Sequence, residues 1–211
     1  MGPHTQIGNP ALWRTRSRKS LIQATVTASV LLLFQGLALA QQSSGSVVAW
    51  GNTSYGRTTL PVPNSDFVSV AAGDSHNLGL KSDGSIVAWG CGSPMNFGQC
   101  DVPAPNNGFV AVAAGAFQSL GLTPDGSIVA WGCGDPLFDY GQCNVPAPNT
   151  GFVAIAAGAY HSLGLKSDGS IVAWGCRLPE PPWSYDYGQC LVPTPNSDFV
   201  ASPQATITAW V

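Results

Sequence analysis

An internal repeat with a period of about 40 residues constrains the fold of this chain more than any other feature. A segment ending in Ala-Trp recurs along the chain, and the intervals between its tryptophans are 39, 42, 43 and 36. A period of this length, with several short apolar runs in each copy, is typical of repeat folds in which each copy is one supersecondary unit. The five tryptophans are Trp50, Trp89, Trp131, Trp174 and Trp210.

Each copy is predicted to fold into β-strands. Two apolar runs, such as residues 78–80 and 86–89, flank an Asp-Gly pair at residues 83–84. Asp-Gly between apolar runs is a strong hairpin signal because glycine tolerates a positive φ. The preceding run, residues 109–115 in one copy, is apolar throughout, which predicts a strand buried on both faces. The recurring Val-Pro-x-Pro-Asn segments, residues 102–106 in one copy, are predicted to be extended connectors, since proline cannot pair within a central strand.

The run at residues 157–175, AGAYHSLGLKSDGSIVAWG, closely resembles the regulator-of-chromosome-condensation repeat, and the resemblance covers essentially all of residues 45–211. Together with the period, it implies an all-β fold, a partial or small β-propeller of about four such repeats. The propeller is expected to be an open arc or part of a larger ring, because the family's propellers usually have seven blades. Complete units are expected at about residues 55–90, 98–132 and 141–175, and an incomplete unit at 188–211.

The last unit is shorter than the others. In every unit a valine follows the repeat phenylalanine, and the interval from this valine to the tryptophan can be compared. It is 21 residues in a complete unit, as from Val68 to Trp89, but only 10 in the last, from Val200 to Trp210. Eleven residues are absent there, which correspond to one strand and its turn. We therefore interpret the chain as a truncated member of the family.

Residues 1–40 differ from the repeats. A basic cluster at residues 14–19 precedes an uncharged apolar stretch that ends in Ala38-Leu39-Ala40. This pattern predicts a secretory signal peptide at residues 1–40, followed by a propeller domain at 41–211. The alternative is a retained membrane anchor, since twenty apolar residues are long enough to span a bilayer. Cleavage would leave a secreted, periplasmic or extracellular chain with no membrane contact.

Charge excludes several classes of protein. Charged residues are only 9% of the chain, with a single glutamate, which argues against a helical bundle. Residues 1–40 contain four of the eight Lys and Arg and none of the eleven Asp and Glu, so residues 41–211 carry a net charge of −7. This acidity argues against a nucleic-acid partner.

Six cysteines fall into three pairs, each bracketing the loop between Trp-Gly-Cys and Gly-Gln-Cys. In the first unit Asn52 and Thr58 replace both cysteines together, which indicates that the two members of each pair are bonded to each other. Disulfides persist in the oxidising compartments outside the cytosol, and no short ligand spacing suggests a metal site. The predicted disulfides are Cys91–Cys100, Cys133–Cys143 and Cys176–Cys190.

No catalytic constellation is recognisable, and we expect neither enzymatic activity nor a cofactor. His76 and His161 occupy one repeat position at which the middle unit has Gln118, so a structural role is favoured over that of a ligand or base. The repeated aspartates Asp83, Asp125 and Asp168 are predicted to be turn residues, since calcium-loop spacing is absent.

The loops inside the cysteine pairs vary while the scaffold repeats, which is typical of a binding surface; neutral drift of the loops is the alternative. The leading functional hypothesis is a secreted protein-interaction module with an unknown protein or cell-surface partner, and a homo-oligomer is among the expected states. The resemblance also suggests guanine-nucleotide exchange, against which the signal peptide and acidity argue, and a non-functional fragment of a longer propeller protein is a further alternative. The candidate partner-binding residues are Phe138, Asp139, Trp183, Tyr185 and Asp186.

Overall fold

A computed structural model describes residues 44–176 and 188–201, all of which belong to the compact unit Gln42–Val211. These residues form nine strands in three antiparallel sheets, apart from one short 3-10 helix at Ser54–Gly56. The first sheet comprises β1 (Phe67–Ala72), β2 (Asn77–Lys81) and β3 (Ile86–Trp89); the second, β4 (Ala111–Ala114), β5 (Ser119–Leu122) and β6 (Ile128–Trp131); the third, β7 (Phe152–Ala157), β8 (Ser162–Lys166) and β9 (Ile171–Trp174). The fold is all-β, and the sheets are consecutive blades of part of a β-propeller.

The Asp-Gly segments form the predicted hairpin turns. Between β2 and β3, the N–H of Gly84 donates to the carbonyl of Lys81 at 3.0 Å, and the N–H of Lys81 donates to the carbonyl of Ser85 at 2.8 Å. Gly84 has φ of 80°, which a residue with a Cβ adopts only at a cost. The turn places Leu78 opposite Ala88 and Leu80 opposite Ile86. The other two sheets repeat this register.

The apolar cores lie between sheets rather than within one sheet. Leu78 and Leu80 of the first sheet pack with Phe109 and Trp131 of the second unit. Leu120, Leu122 and Ile128 of the second sheet pack in the same way with Phe152, Ile155 and Trp174 of the third. The leucine pairs of the first two middle strands therefore fill the space next to the following sheet, which is how blades of a propeller stabilise one another.

The prediction that the first strand of each unit is buried on both faces is wrong in part. Val153 is 50% exposed and the equivalent Val110 is 49% exposed. The pairing of β7 with β8 skips a residue between Phe152 and Ala154, so Val153 sits at a β-bulge. A bulge leaves its extra residue outside the ladder, which explains why the side chain of Val153 is exposed.

The proline-rich connectors form no strands, which confirms the prediction. The side chain of one asparagine in each connector nevertheless bonds to a neighbouring strand as a strand backbone would. The side chain of Asn106 accepts from the N–H of Ile86 at 2.7 Å and donates to its carbonyl at 2.8 Å. These are the two bonds that a paired strand residue would make, so the connector covers the start of the outer strand. Asn149 bonds Ile128 and Asn196 bonds Ile171 in the same way.

The segment at residues 46–51, which contains the first of the recurring Ala-Trp pairs, is not a strand by its hydrogen bonds. It nevertheless lies where an outer strand would lie, because the side chain of Asn64 makes the same two bonds to the backbone of Val47, each 2.9 Å. Residues 206–210, which end in the last of the recurring Ala-Trp pairs, lie outside the described residues, as do residues 1–43, in which the signal peptide was predicted.

Candidate interaction surface

Three disulfides close the loops that follow the outer strands, as the pairing of the cysteines predicted. They join Cys91 to Cys100, Cys133 to Cys143 and Cys176 to Cys190, with sequence separations of 9, 10 and 14 residues. We call the first two loops, residues 91–100 and 133–143, loop 1 and loop 2. Residues 177–187 of the third loop, including Trp183, Tyr185 and Asp186 of the predicted site, lie outside the described residues.

A buried glutamine fixes the shape of each described loop from inside. Gln142 is fully buried, and its Oε1 accepts from the N–H of Tyr140 at 2.6 Å while its Nε2 donates to the carbonyl of Phe138 at 2.6 Å. Gln99 makes the equivalent bonds to Phe97 and Met95 in loop 1. The glutamine side chain therefore provides hydrogen-bond partners for two backbone groups of its own loop, and it holds the neighbouring aromatic residues in place.

The same glutamines attach each loop to the next sheet. The carbonyl of Gln142 accepts from the indole Nε1 of Trp174 at 2.9 Å and from Oγ of Ser162 at 3.0 Å. The carbonyl of Gln99 accepts from Trp131 and Ser119 at 3.0 and 2.8 Å. The recurring tryptophan thus has two roles, since its ring fills the core between sheets and its N–H anchors a loop.

Five aromatic side chains from both loops and two sheet turns meet in one continuous cluster, which we call the aromatic ladder. Phe138 of loop 2 stacks on Phe117 with ring centroids 4.6 Å apart and an interplanar angle of 17°. Offset or stacked pairs at such distances stabilise beyond the area they bury. The remaining contacts join Phe97 to Phe117 and Phe138 at 5.4 and 5.5 Å, Phe117 to Tyr160 at 5.9 Å, and Tyr140 to Tyr160 at 5.0 Å.

Loop 2 presents an apolar tip and two carboxylates beside the ladder. Leu137 is 78% exposed next to the half-buried Phe138. Asp135 and Asp139 flank them, and each holds the loop by accepting a backbone N–H, from Leu137 and Gly141 respectively, both at 2.9 Å. Two of the predicted partner-binding residues, Phe138 and Asp139, thus lie together on this surface.

Phe117 and Tyr160 belong to the same surface but were not predicted from the sequence. Both follow the first strand of their sheet and immediately precede the buried Gln or His of the repeat. The first unit has Ser75 at this position instead. The available signal in the sequence was an aromatic residue at this turn position in two of the three complete units.

The repeated His and Gln positions link neighbouring sheets. His76 is fully buried, and its Nε2 lies 2.9 Å from Oγ of Ser119, whose own proton is donated to the carbonyl of Gln99. The Nε2 of His76 must therefore carry the hydrogen, and Nδ1 is the bare nitrogen, which has no partner. Burial lowers the pKa of His76 from 6.5 to about 4, so the ring is neutral. Gln118 bridges to the carbonyls of Gly158 and His161 at 2.9 and 3.0 Å.

The repeated aspartates are turn residues, as predicted. Asp83 accepts from the hydroxyl and the N–H of Ser85 at 2.7 and 2.9 Å, and these bonds lower the pKa of its carboxyl. Asp168 repeats this arrangement with Ser170. Within residues 44–176 and 188–201, no three metal-binding side chains come together, and no helix is long and apolar enough to cross a bilayer.

Known proteins resemble this chain in its repeat sequence and in its fold. A family model described as "Regulator of chromosome condensation (RCC1) repeat" matches residues 67–99 and 152–176. The structure of Prp20p from Saccharomyces cerevisiae, described with its binding to Gsp1p and histones, is 23% identical with a TM-score of 0.52, and the match covers 63% of this chain and 41% of that one. Yeast RCC1 (Prp20) bound to Kap60 is 21% identical with a TM-score of 0.50, over 69% and 40%. The ectodomain of receptor kinase CR4 from Physcomitrella patens is 24% identical with a TM-score of 0.47, over 59% and 33%.

The chain spans about two fifths of the length of the yeast propeller that it matches. No curated protein matches its sequence.

Proposed function

The chain carries repeats of the regulator of chromosome condensation family, and from this premise we propose that it is a secreted protein-interaction module. The surface that binds is the aromatic ladder together with the tip of loop 2, Asp135 to Asp139. The disulfide-closed loops supply the contact residues, and the sheets supply a rigid support.

The observation that carries the proposal is the exposed apolar tip on a fixed aromatic base. Leu137 is 78% exposed, while Phe138, the next residue in the loop, stacks on Phe117. The ring of Phe138 is held by this stacking and therefore loses little conformational entropy on binding, and rigid aromatic anchors dominate the affinity of many protein interfaces.

The charge of this surface indicates the chemistry of the partner. Loops 1 and 2 contain no Lys or Arg, whereas Asp135 and Asp139 flank Leu137, and Asp101 follows loop 1. The described lysines lie elsewhere: Nζ of Lys81 and of Lys166 each sits over a phenylalanine ring, at 3.8 and 3.7 Å from the centroid. We therefore expect a partner protein that presents Lys or Arg around an apolar pocket, since complementary potentials favour the correct encounter.

Export is part of the proposal. The predicted signal peptide at residues 1–40 and the three disulfides both fit an oxidising compartment outside the cytosol. The yeast structure is described with protein partners, Gsp1p and histones, which supports protein binding as a use of this fold. At 23% identity the likeness concerns the fold, so those partners are not carried over to this chain.

Photo-cross-linking tests the proposal. A photoreactive residue replaces Leu137 in the full chain, and in a matched variant it replaces Val62, which is 95% exposed and lies outside the loops. We expect position 137 to capture a discrete protein from the exported fraction, and position 62 not to do so. The capture should decrease when Asp135 and Asp139 are both changed to Asn. Equal capture from the two positions would refute the proposed surface.

A further inference from the structure

A second surface, distinct from the loops, lies at the edge of the first sheet. There the segment 45–51 occupies the place that the outer strand of a preceding sheet would take. Gly45 exchanges two backbone bonds with Phe67, at 2.9 and 3.0 Å, and the N–H of Phe109 donates to Gly84 at 2.9 Å in the corresponding place of the next unit. The bonds between Asn64 and Val47 match those between Asn106 and Ile86.

The outer strands of the three sheets all pair with a middle strand of Leu-Gly-Leu sequence, in one register. In the first sheet Leu78 lies opposite Ala88, Gly79 opposite Val87 and Leu80 opposite Ile86. The segment 45–51 has the outer-strand sequence, Ser-Val-Val-Ala-Trp, but pairs with no middle strand among the described residues. Its Val48 is 75% exposed and its Trp50 is 85% exposed, whereas Trp131 and Trp174 are 8% and 6% exposed.

The groove next to this segment lacks the side chains that fill its equivalents. It has a volume of about 350 Å³ and is lined by residues 47–50, Val70 and Trp89, among others. Val70 is 54% exposed, whereas its equivalent in the third sheet, Ile155, is 9% exposed. The core that buries Ile155 contains Leu120 and Leu122 of the preceding middle strand. The equivalent core therefore indicates what would fill this groove, namely two leucines separated by a glycine.

The glycine of that pattern is required by the phenylalanine of its own unit. A Cβ at Gly79 would overlap the ring of Phe67, and a Cβ at Gly164 would overlap the ring of Phe152. An inner strand that begins with Phe and a middle strand with Leu-Gly-Leu consequently form one building block.

We propose that the edge formed by residues 45–51 and Val70 binds such a two-strand block from another repeat-bearing chain. The middle strand of the partner pairs antiparallel with this segment, with its leucines opposite Val47 and Ala49 and its glycine opposite Val48. Addition of a strand to an exposed edge gives affinity through backbone bonds, and side-chain pockets give selectivity. This proposal does not depend on the loop surface.

A peptide with the sequence of residues 152–166, FVAIAAGAYHSLGLK, is the probe. Titrated into the full chain, it should bind with 1:1 stoichiometry and shift the tryptophan emission to shorter wavelength as Trp50 becomes buried. The shift should be lost in W50F, which keeps an aromatic ring but removes the reporting indole. A peptide with both leucines changed to Asp should bind at least tenfold more weakly. Binding that is insensitive to the leucines, or absent, contradicts the trans pairing.

An insertion variant tests the same pairing independently of the peptide. A second copy of residues 152–168 is inserted between Ser44 and Gly45 of the full chain, which recreates the repeat sequence Lys-Ser-Asp-Gly-Ser at the junction. We expect higher thermal stability and several-fold less quenching of Trp50 by iodide than in the same insertion with both leucines changed to Asp. Equal stability and quenching in the two insertions would overturn the proposed docking edge.

Discussion

The buried polar residues between the sheets contribute to the stability of the fold, and their contribution can be measured. His76 has a fixed tautomer because Ser119 donates its proton to a carbonyl and can only accept from the ring. Its unpartnered Nδ1 can be protonated only by placing a charge in a desolvated interface. The position is therefore sensitive to pH although it takes part in no proposed chemistry.

The stability of the chain should decrease with acidity through His76. The pKa of His76 is about 4 in the folded chain, against 6.5 for an unperturbed histidine, so the unfolded chain binds more protons between these values. The contribution of the neutral ring is complete above pH 6.5 and is lost as the pH falls towards 4. We expect a loss of about 2 kcal/mol between pH 7.5 and pH 5, measured by urea unfolding.

His76→Gln is the matched control for this pH dependence, because the chain itself has Gln118 at the equivalent position. The variant should fold and should show a smaller decrease in stability between pH 7.5 and pH 5. An unchanged slope in the variant would mean that another group titrates.

The glutamine inside loop 2 should matter more for stability than the exposed residues around it. Gln142→Leu removes the side chain that bonds the N–H of Tyr140 and the carbonyl of Phe138, and the loss of a buried hydrogen-bond partner costs about 1–3 kcal/mol. Asp139→Asn is the control in the same loop, since an amide oxygen can still accept from Gly141. Denaturant unfolding of both variants measures the difference, and similar stabilities would count against the role of the glutamine.

At the level of elements, the disulfides hold local loops and do not tie the sheets together. Changing Cys133 and Cys143 to Ser should lower the stability by about 3 kcal/mol through the entropy of the opened loop, while the far-UV circular dichroism stays unchanged. Asn52→Ser with Thr58→Ser, at the equivalent positions of the first unit, should have little effect. A loss of β signal on removal of the disulfide would show that the bond is needed for the sheets themselves.

The elements that repeat in sequence were predictable, and those that depend on three-dimensional neighbours were not. The Asp-Gly pairs predict the turns because only local backbone geometry decides them, and the paired replacement at Asn52 and Thr58 identifies the bonded cysteines. The bulge at Val153 and the strand-like bonds of Asn106 depend on the neighbouring strand. The aromatic ladder depends on side chains from separate units, so the sequence indicates Phe138 but not its stacking on Phe117.

At the scale of the whole molecule, the first and last segments of the described repeat domain expose apolar side chains. Trp50 and Val48 are 85% and 75% exposed at one end, and Val200 and Phe199 are 85% and 38% exposed at the other. Surfaces of this kind recruit another chain or aggregate. We therefore expect a dimer or higher assembly from multi-angle light scattering of the full chain after removal of residues 1–40. A stable monomer that binds no hydrophobic dye would contradict this expectation.

The central claim is that the tip of loop 2, on its aromatic base, is the binding surface. The most direct measurement is the equilibrium affinity of the full chain for the protein captured at position 137, by isothermal titration calorimetry. Leu137→Asp should weaken binding at least tenfold, about 1.4 kcal/mol or more, because it places a charge in the apolar contact. Val62→Asp, the same change at another exposed apolar site, should leave the affinity unchanged. Equal affinities for Leu137→Asp and the unmodified chain would contradict the account.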